Sequence, residues 1–368
     1  MGMRPAHPII LPFILAALFA IAPVGVSPLR AQMPQAELSE AYADAARLIR
    51  SVPPASRTGA PSPDALSAAA APPALPGTRS TAEGAPGRPL DGRILDTASG
   101  RFIKESELIA RLLDARFALL GEIHDNAFHH RLQAALVKNL AARRPSVGFE
   151  MLPSDMGPLV SREALGRPVT IEDVALAWQR GGWSLWDIYR PVAEEAVAAE
   201  LPILAANLSK ADKEKLKKEG WSALDPRMVR RFNLDKPLPP DVHDTLLREI
   251  IESHCGYNPG EEVISKMIMV QRAWDATMAT SMANGGVLIA GNGHVRLDRG
   301  VPAYLSVLAP GETALSVGFV EVGPAEEDPS AYGSMPYHFL WFTPRVDRKD
   351  PCADFPRTPR STGVEPGL

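Results

Sequence analysis

The chain has 368 residues, 45% of them hydrophobic and 22% charged, which is ordinary globular usage and enough for one large domain or two small ones. The formal net charge is -4, and the one dense basic stretch, Lys210 to Lys218, also carries Asp212 and Glu214. It reads as a solvated helix face, so nucleic acid is excluded as the expected partner.

The N-terminus has Arg4 and then an apolar run from Ile9 to Ala22. That run is too short to span a bilayer stably and has the length of a secretory core, so 1–31 is expected to be a signal peptide, cleaved near Ala22, Ser27 or Ala31. No cysteine lies there to carry a lipid, and a periplasmic, non-lipoprotein form without a transmembrane span after cleavage is expected. A short helix is expected near 37–50. Nine prolines between Pro53 and Pro89, set among Ala, Gly, Ser and Thr, mark 32–90 as a disordered tether.

The folded domain is expected over 91–355, with a disordered tail at 356–368. Short apolar runs alternate with helical stretches, which predicts an α/β fold with a mostly parallel sheet flanked by helices and capped by a helical subdomain. Strands are expected at 94–97, 117–121, 147–150 and 203–207, and again from Val287, at 313–322 and at 337–343. Helices are expected at 104–114, 127–142, 154–179 and 191–200. Thr170 and Asp173 form a capping box within the third of these, and Pro191 opens the fourth. The stretch 210–284 contains no convincing strand and reads as a helical insertion over the carboxyl edge of the sheet. In its last helix Val263, Met267, Val270, Trp274, Thr277 and Ser281 recur on one face, and the methionines there read as packing.

Four apolar runs end in polar residues suited to chemistry: Glu122 and His124, Glu150, Asn207, and His294. Parallel sheets place ligands beyond the carboxyl ends of their strands, so these five residues are expected to converge. Gly121 and Gly291 each precede a histidine by three residues, directly after a strand, where glycine permits a positive φ or a close backbone approach. Neutral imidazole is the commonest metal ligand, and a carboxylate in a dry crevice must be paired, protonated or bound to a cation. His124, His294, Glu122 and Glu150 are therefore candidate ligands of a divalent metal, with Glu122 or Glu150 as general base; a salt bridge to Arg131 or Arg296 is the plainer role. Asn126 is expected to cap the next helix. Tyr189 lies in an aromatic segment from Trp183 to Pro191 and is a candidate phenolate ligand, with Tyr257 and Tyr304 as rivals. His243 and His254 share a face if one continuous helix carries them, and read equally as ordinary helix-surface histidines. The two cysteines, Cys255 and Cys352, are a candidate disulfide in an oxidising compartment.

Read in order, several segments resemble one family: the run 121–130, Gly148-Phe149-Glu150-Met151, Trp186 to Pro191, Ala205-Ala206-Asn207, Gln271 to Ala279, Ala290 to Val295, Trp341 to Pro344, and the 350–352 segment. Together they resemble the ChaN-like haem-binding uptake family of the Tiki superfamily, over about 91–355. The resemblance implies an exported α/β protein of haem and iron acquisition, working with transport components. It also implies haem as cofactor, held by a tyrosine with histidine partners and in some members as a cofacial pair across a homodimer. Tyr189, His124, His254, His294 and Asn207 are the candidate haem-binding residues. The chain lacks the lipid-anchoring cysteine of better-known members. Two readings follow from different classes: a haem carrier, and a metal-dependent peptidase or esterase using the paired Gly-x-x-His turns and the glutamates.

Overall fold

The computed structural model describes residues 89–350 together with 352 and 353. The expected signal peptide (1–31), nearly all of the tether (32–90), the helix expected near 37–50 and the tail (356–368) lie outside the described residues.

In chain order the main elements are β1 (Ile94–Asp96), β2 (Arg101–Ile103), α1 (Glu105–Asp114), β3 (Phe117–Leu120), α2 (Ala127–Leu140), β4 (Val147–Pro153), α3 (Arg162–Leu165), α4 (Ile171–Gly181) and α5 (Trp186–Ala198). Then follow β5 (Ile203–Asn207), α6 (Lys210–Glu219), α7 (Pro226–Phe232), α8 (Pro240–Ser253), α9 (Glu261–Ser281), β6 (Gly286–Ile289), α10 (Val301–Leu308), β7 (Ala314–Val322) and β8 (Phe339–Pro344). The strands form one sheet in the order β2-β1-β8-β7-β3-β6-β4-β5. The six strands from β8 to β5 run parallel, and the β1–β2 hairpin joins antiparallel at the β8 edge.

The apolar runs are continuous because both faces of the sheet are covered. On one face Phe117, Leu119 and Leu288 pack with Leu216 of α6, Phe232 of α7, Trp274 and Met278 of α9, and Leu305 of α10. On the other Ala118, Leu120, Ile289 and Phe149 pack with Leu112 of α1, Val137 of α2, Trp178 of α4 and Val192 of α5. Each large side chain fully buried in this way contributes about 1.5–3 kcal/mol.

Several expectations are corrected. The helix expected at 154–179 is broken into a short 3₁₀ turn (Ser154–Leu159), α3 and α4, because Gly166 takes φ 66° and Pro168 follows it; the capping box of Thr170 and Asp173 does open α4. The helix placed at 191–200 starts five residues earlier, at Trp186, with Pro191 inside it. In α9, Val263 of the expected apolar face is exposed, whereas Gln271 and Asp275 are buried. Helix α9 is thus a core helix against the sheet rather than part of a cap, and α8 supplies the cap. Among the described residues no helix is long and apolar enough to cross a membrane.

Candidate functional site

Strands β3 and β6 are hydrogen-bonded neighbours, Leu120 beside Ile289, so the two Gly-x-x-His turns leave the sheet side by side. Neither Gly121 nor Gly291 has a positive φ; close approach is what demands them. A Cβ on Gly121 would collide with the Asn292 side chain, and one on Gly291 would lie 3.1 Å from His124 Nε2 and 3.6 Å from Glu150 Oε2. Glycine 291 therefore keeps open the space between these two groups.

Glu122 is buried and serves as a hub. Its Oε1 accepts hydrogen bonds from Tyr189 OH at 2.5 Å and His124 Nδ1 at 2.9 Å. Its Oε2 lies 3.2 Å from His130 Nδ1, a close ion pair that is not aligned as a hydrogen bond. Burial opposes the charge, but the fields of His130 and His124 and the hydrogen bond from His124 hold the Glu122 carboxyl far below its ordinary range.

The two adjacent histidines of α2 are in opposite protonation states. His130 Nε2 faces the His124 carbonyl at 3.0 Å, and Nδ1 faces Gln133 Oε1 at 3.0 Å as well as Glu122. The Gln133 amide nitrogen donates to the carbonyls of Leu120 and Gly121, which fixes its oxygen toward His130. With acceptors on both nitrogens, His130 is an imidazolium, and despite desolvation Glu122 raises its pKa. His129 instead accepts from Ile123 N at 2.9 Å and donates to Thr343 Oγ1 at 2.8 Å, so it is neutral, and burial lowers its pKa. It pins the turn that carries His124.

Glu150 closes the other side. Its Oε2 accepts from Gly291 N at 2.8 Å and its Oε1 lies 3.4 Å from His294 Nε2. His294 Nδ1 donates to Asp275 Oδ1 at 2.6 Å. Desolvation works against a charge on His294, but Glu150 and Asp275 push its pKa up to about 10, while Glu150 falls to about 2. Burial lifts the Asp275 pKa, against the pull of the His294 charge.

A pH prediction follows from His294. A raised folded-state pKa stabilises fully below the unfolded value near 6.5, and the contribution fades as pH climbs toward about 10. Urea melts of the wild type should therefore lose roughly 3–5 kcal/mol between pH 6 and pH 10 relative to His294→Gln. Parallel pH profiles would show that His294 is neutral.

Beyond these groups lies a cavity of about 1200 Å³. Glu122, His124, Glu150 and His294 line its floor, Phe319, Tyr332, Met335 and Tyr337 one wall, and α8 with the segment after β8 the rest. Four of the five expected strand-end residues thus meet at one cavity. Asn207 does not line it: its side chain donates to the Glu150 carbonyl at 2.8 Å and accepts from Leu208 N at 2.8 Å, so it positions Glu150 from behind.

Tyr189 also stands behind the floor. It is 0% exposed, its ring lies 3.9 Å from that of His130, and its hydroxyl is engaged by Glu122 and His124. Burial and the nearby Glu122 raise its pKa well above 10, which opposes a phenolate ligand. His254 turns its Nδ1 to the Ile250 carbonyl at 2.6 Å and is not part of the cavity lining. Of the rival tyrosines, Tyr257 is exposed and Tyr304 packs against Phe232.

Sequence reasoning missed Asp275, Gln271, Tyr332 and Tyr337, and did not anticipate that the glutamates pair with histidines rather than with Arg131 or Arg296. For divalent-metal ligation the donors are arranged poorly. His294 Nε2 faces Glu150 and both nitrogens of His130 are engaged, and among the described residues no group of three or more His, Cys, Asp or Glu could hold a metal ion.

Comparison with known proteins adds a family. The family described as haem-binding uptake, Tiki superfamily, ChaN matches residues 108–305. A solved structure described as cofacial heme binding to ChaN of Campylobacter jejuni is 22% identical with a TM-score of 0.54, over 67% of this chain and 95% of that one. The type III effector HopBA1 is 14% identical with a TM-score of 0.36, over 65% of this chain and 92% of its own. At 22% identity the likeness to the ChaN structure is one of fold. No curated protein matches the chain.

Proposed function

Because the chain belongs to the ChaN haem-binding uptake family of the Tiki superfamily, we propose that it binds haem in the cavity at the carboxyl edge of its sheet, as a carrier in haem or iron uptake. The observation that supports this most is His124. Its Nδ1 is held by the buried Glu122 carboxylate, and its Nε2 has no hydrogen-bond partner among the described residues, at the floor of a cavity walled by Phe319, Tyr332, Met335 and Tyr337.

The cavity exceeds the roughly 300–1,000 Å³ of ordinary ligand pockets and has an aromatic wall, as a flat macrocycle requires. When bound, haem would supply a ferric iron that takes a ligand from the protein. The part of this chain is to present the His124 imidazole, to fix its tautomer and strengthen its basicity through Glu122, and to shield the ligand with apolar side chains. Export fits the same reading. It rests on the apolar stretch from Ile9 to Ala22 and on the Cys255–Cys352 disulfide, a bond of oxidising compartments.

The test is a ferric haem titration followed at the Soret band. Saturable binding is expected, with His124→Ala weakening it by about 10-fold or more, a loss of about 1.4 kcal/mol, and Tyr189→Phe changing it little. Nonsaturating absorbance changes would reject the carrier role, and loss of binding in Tyr189→Phe alone would move the ligand from His124 to Tyr189.

A further inference from the structure

The segment 345–350 that follows β8 has no regular secondary structure, yet with Cys352 it forms one side of the cavity. Cys255, just past the end of α8, also lines the cavity, and the disulfide joins it to the end of this segment across a sequence separation of 97 residues. Other ties run to the sheet edge. Arg345 N donates to Val322 O at 3.3 Å, and Arg348 pairs with Glu321 at 2.6 Å and Asp125 at 2.7 Å. The Arg348 side chain is 18% exposed and meets both carboxylates in bidentate pairs, so it anchors the segment firmly to the sheet edge but not to the cap. Among the described contacts the disulfide is the covalent link between this segment and the cap, and both cysteines are half-buried, within reach of a small thiol.

We propose that the segment 345–350 is a redox-latched wall of the ligand cavity, and that the Cys255–Cys352 disulfide is a reaction site for a dithiol reductant whose action releases the ligand. For the identity of that ligand the inference rests on the haem reading; the latch itself does not. The segment also lies outside residues 108–305, where the family match ends.

The chemistry is thiol–disulfide exchange. One thiolate of the reductant attacks a sulfur of the Cys255–Cys352 bond, which breaks as a mixed disulfide forms. The second thiol displaces the mixed disulfide, and the reductant leaves oxidised by two electrons. Cys255 and Cys352 each end as a protonated thiol. Asp125, one of the partners of Arg348, directly follows His124, so release of the wall would reach the floor of the site.

The experiment uses the full chain in three forms: oxidised, reduced with dithiothreitol and then alkylated, and Cys255→Ser/Cys352→Ser. Amide hydrogen exchange without ligand is measured first. On reduction the amides of 345–350 are expected to exchange about 10-fold faster or more, at times too short for the strands, which open by global unfolding, to exchange. Dissociation of bound haem into excess apomyoglobin is measured next. It should quicken by a similar factor in the reduced and double-variant forms, and dithiothreitol should have no effect on the variant. Unchanged exchange at 345–350 overturns the latch whether or not haem binds. Faster exchange with an unchanged haem off-rate overturns the gating role. If no form binds haem, the carrier reading fails, the haem-release claim falls with it, and the exchange data alone decide the latch.

Discussion

Glu122→Ala is expected to destabilise the protein by about 3–5 kcal/mol, because it removes one partner of a buried charge pair and leaves His130 protonated without its counterion. The loss has three parts in the structure: the ion pair to His130, the bond from Tyr189 OH and the bond from His124 Nδ1. Glu122→Gln keeps the volume and an acceptor but not the charge, so it should fall between wild type and alanine. The pH response carries the sign of each group. The lowered pKa of Glu122 stabilises above the unfolded carboxyl value near 4.3 and is lost as pH falls; the raised pKa of His130 stabilises below about 6.5 and is lost as pH rises. The difference between wild type and Glu122→Ala should therefore be greatest between these values. Urea denaturation at pH 5.5 checks this, and a loss under about 1 kcal/mol would show that His130 is neutral and the network not ionic.

Breaking the disulfide is expected to cost about 4–5 kcal/mol, the chain-entropy value for a closed loop near 100 residues. The effect arises mainly in the unfolded chain, which regains the freedom that the 97-residue link removes. Denaturation of the oxidised protein and of Cys255→Ser/Cys352→Ser measures it. Equal stability would mean that the unfolded chain is compact without the bond, or that native strain cancels the gain.

The sheet was legible because its strands are buried on both faces. Runs such as Phe117 to Leu120 and Val287 to Ile289 admit few other readings in a chain of this length, and the polar residue ending each run marks the edge where ligands sit. The hairpin strand β2 was not legible, since its three residues, Arg101, Phe102 and Ile103, at the sheet edge are exposed or half-buried and too few to show an alternation. His124, Glu122, Glu150 and His294 were visible as strand-end residues; their pairing was not, because it depends on how α2 and α9 pack. His130 reaches Glu122 only once α2 lies against the sheet, and Asp275 reaches His294 from within a helix whose apolar periodicity drew the eye to Trp274. Tyr189 was read as a ligand from the sequence and sits elsewhere in the network. Its place in an aromatic segment entering a helix suggested a ligand, but the same helix buries it behind the floor, where it supports Glu122. Tyr332 and Tyr337 lie in an irregular stretch between β7 and β8, where no periodicity marks a wall.

The account stands or falls on where haem sits. A crystal structure of the full chain with ferric haem is the most direct measurement. The account predicts the porphyrin inside the cavity between α8 and the Phe319–Tyr337 wall, with iron facing His124 Nε2. Haem bound on the outer surface, or iron ligated by the exposed Tyr257, would contradict it.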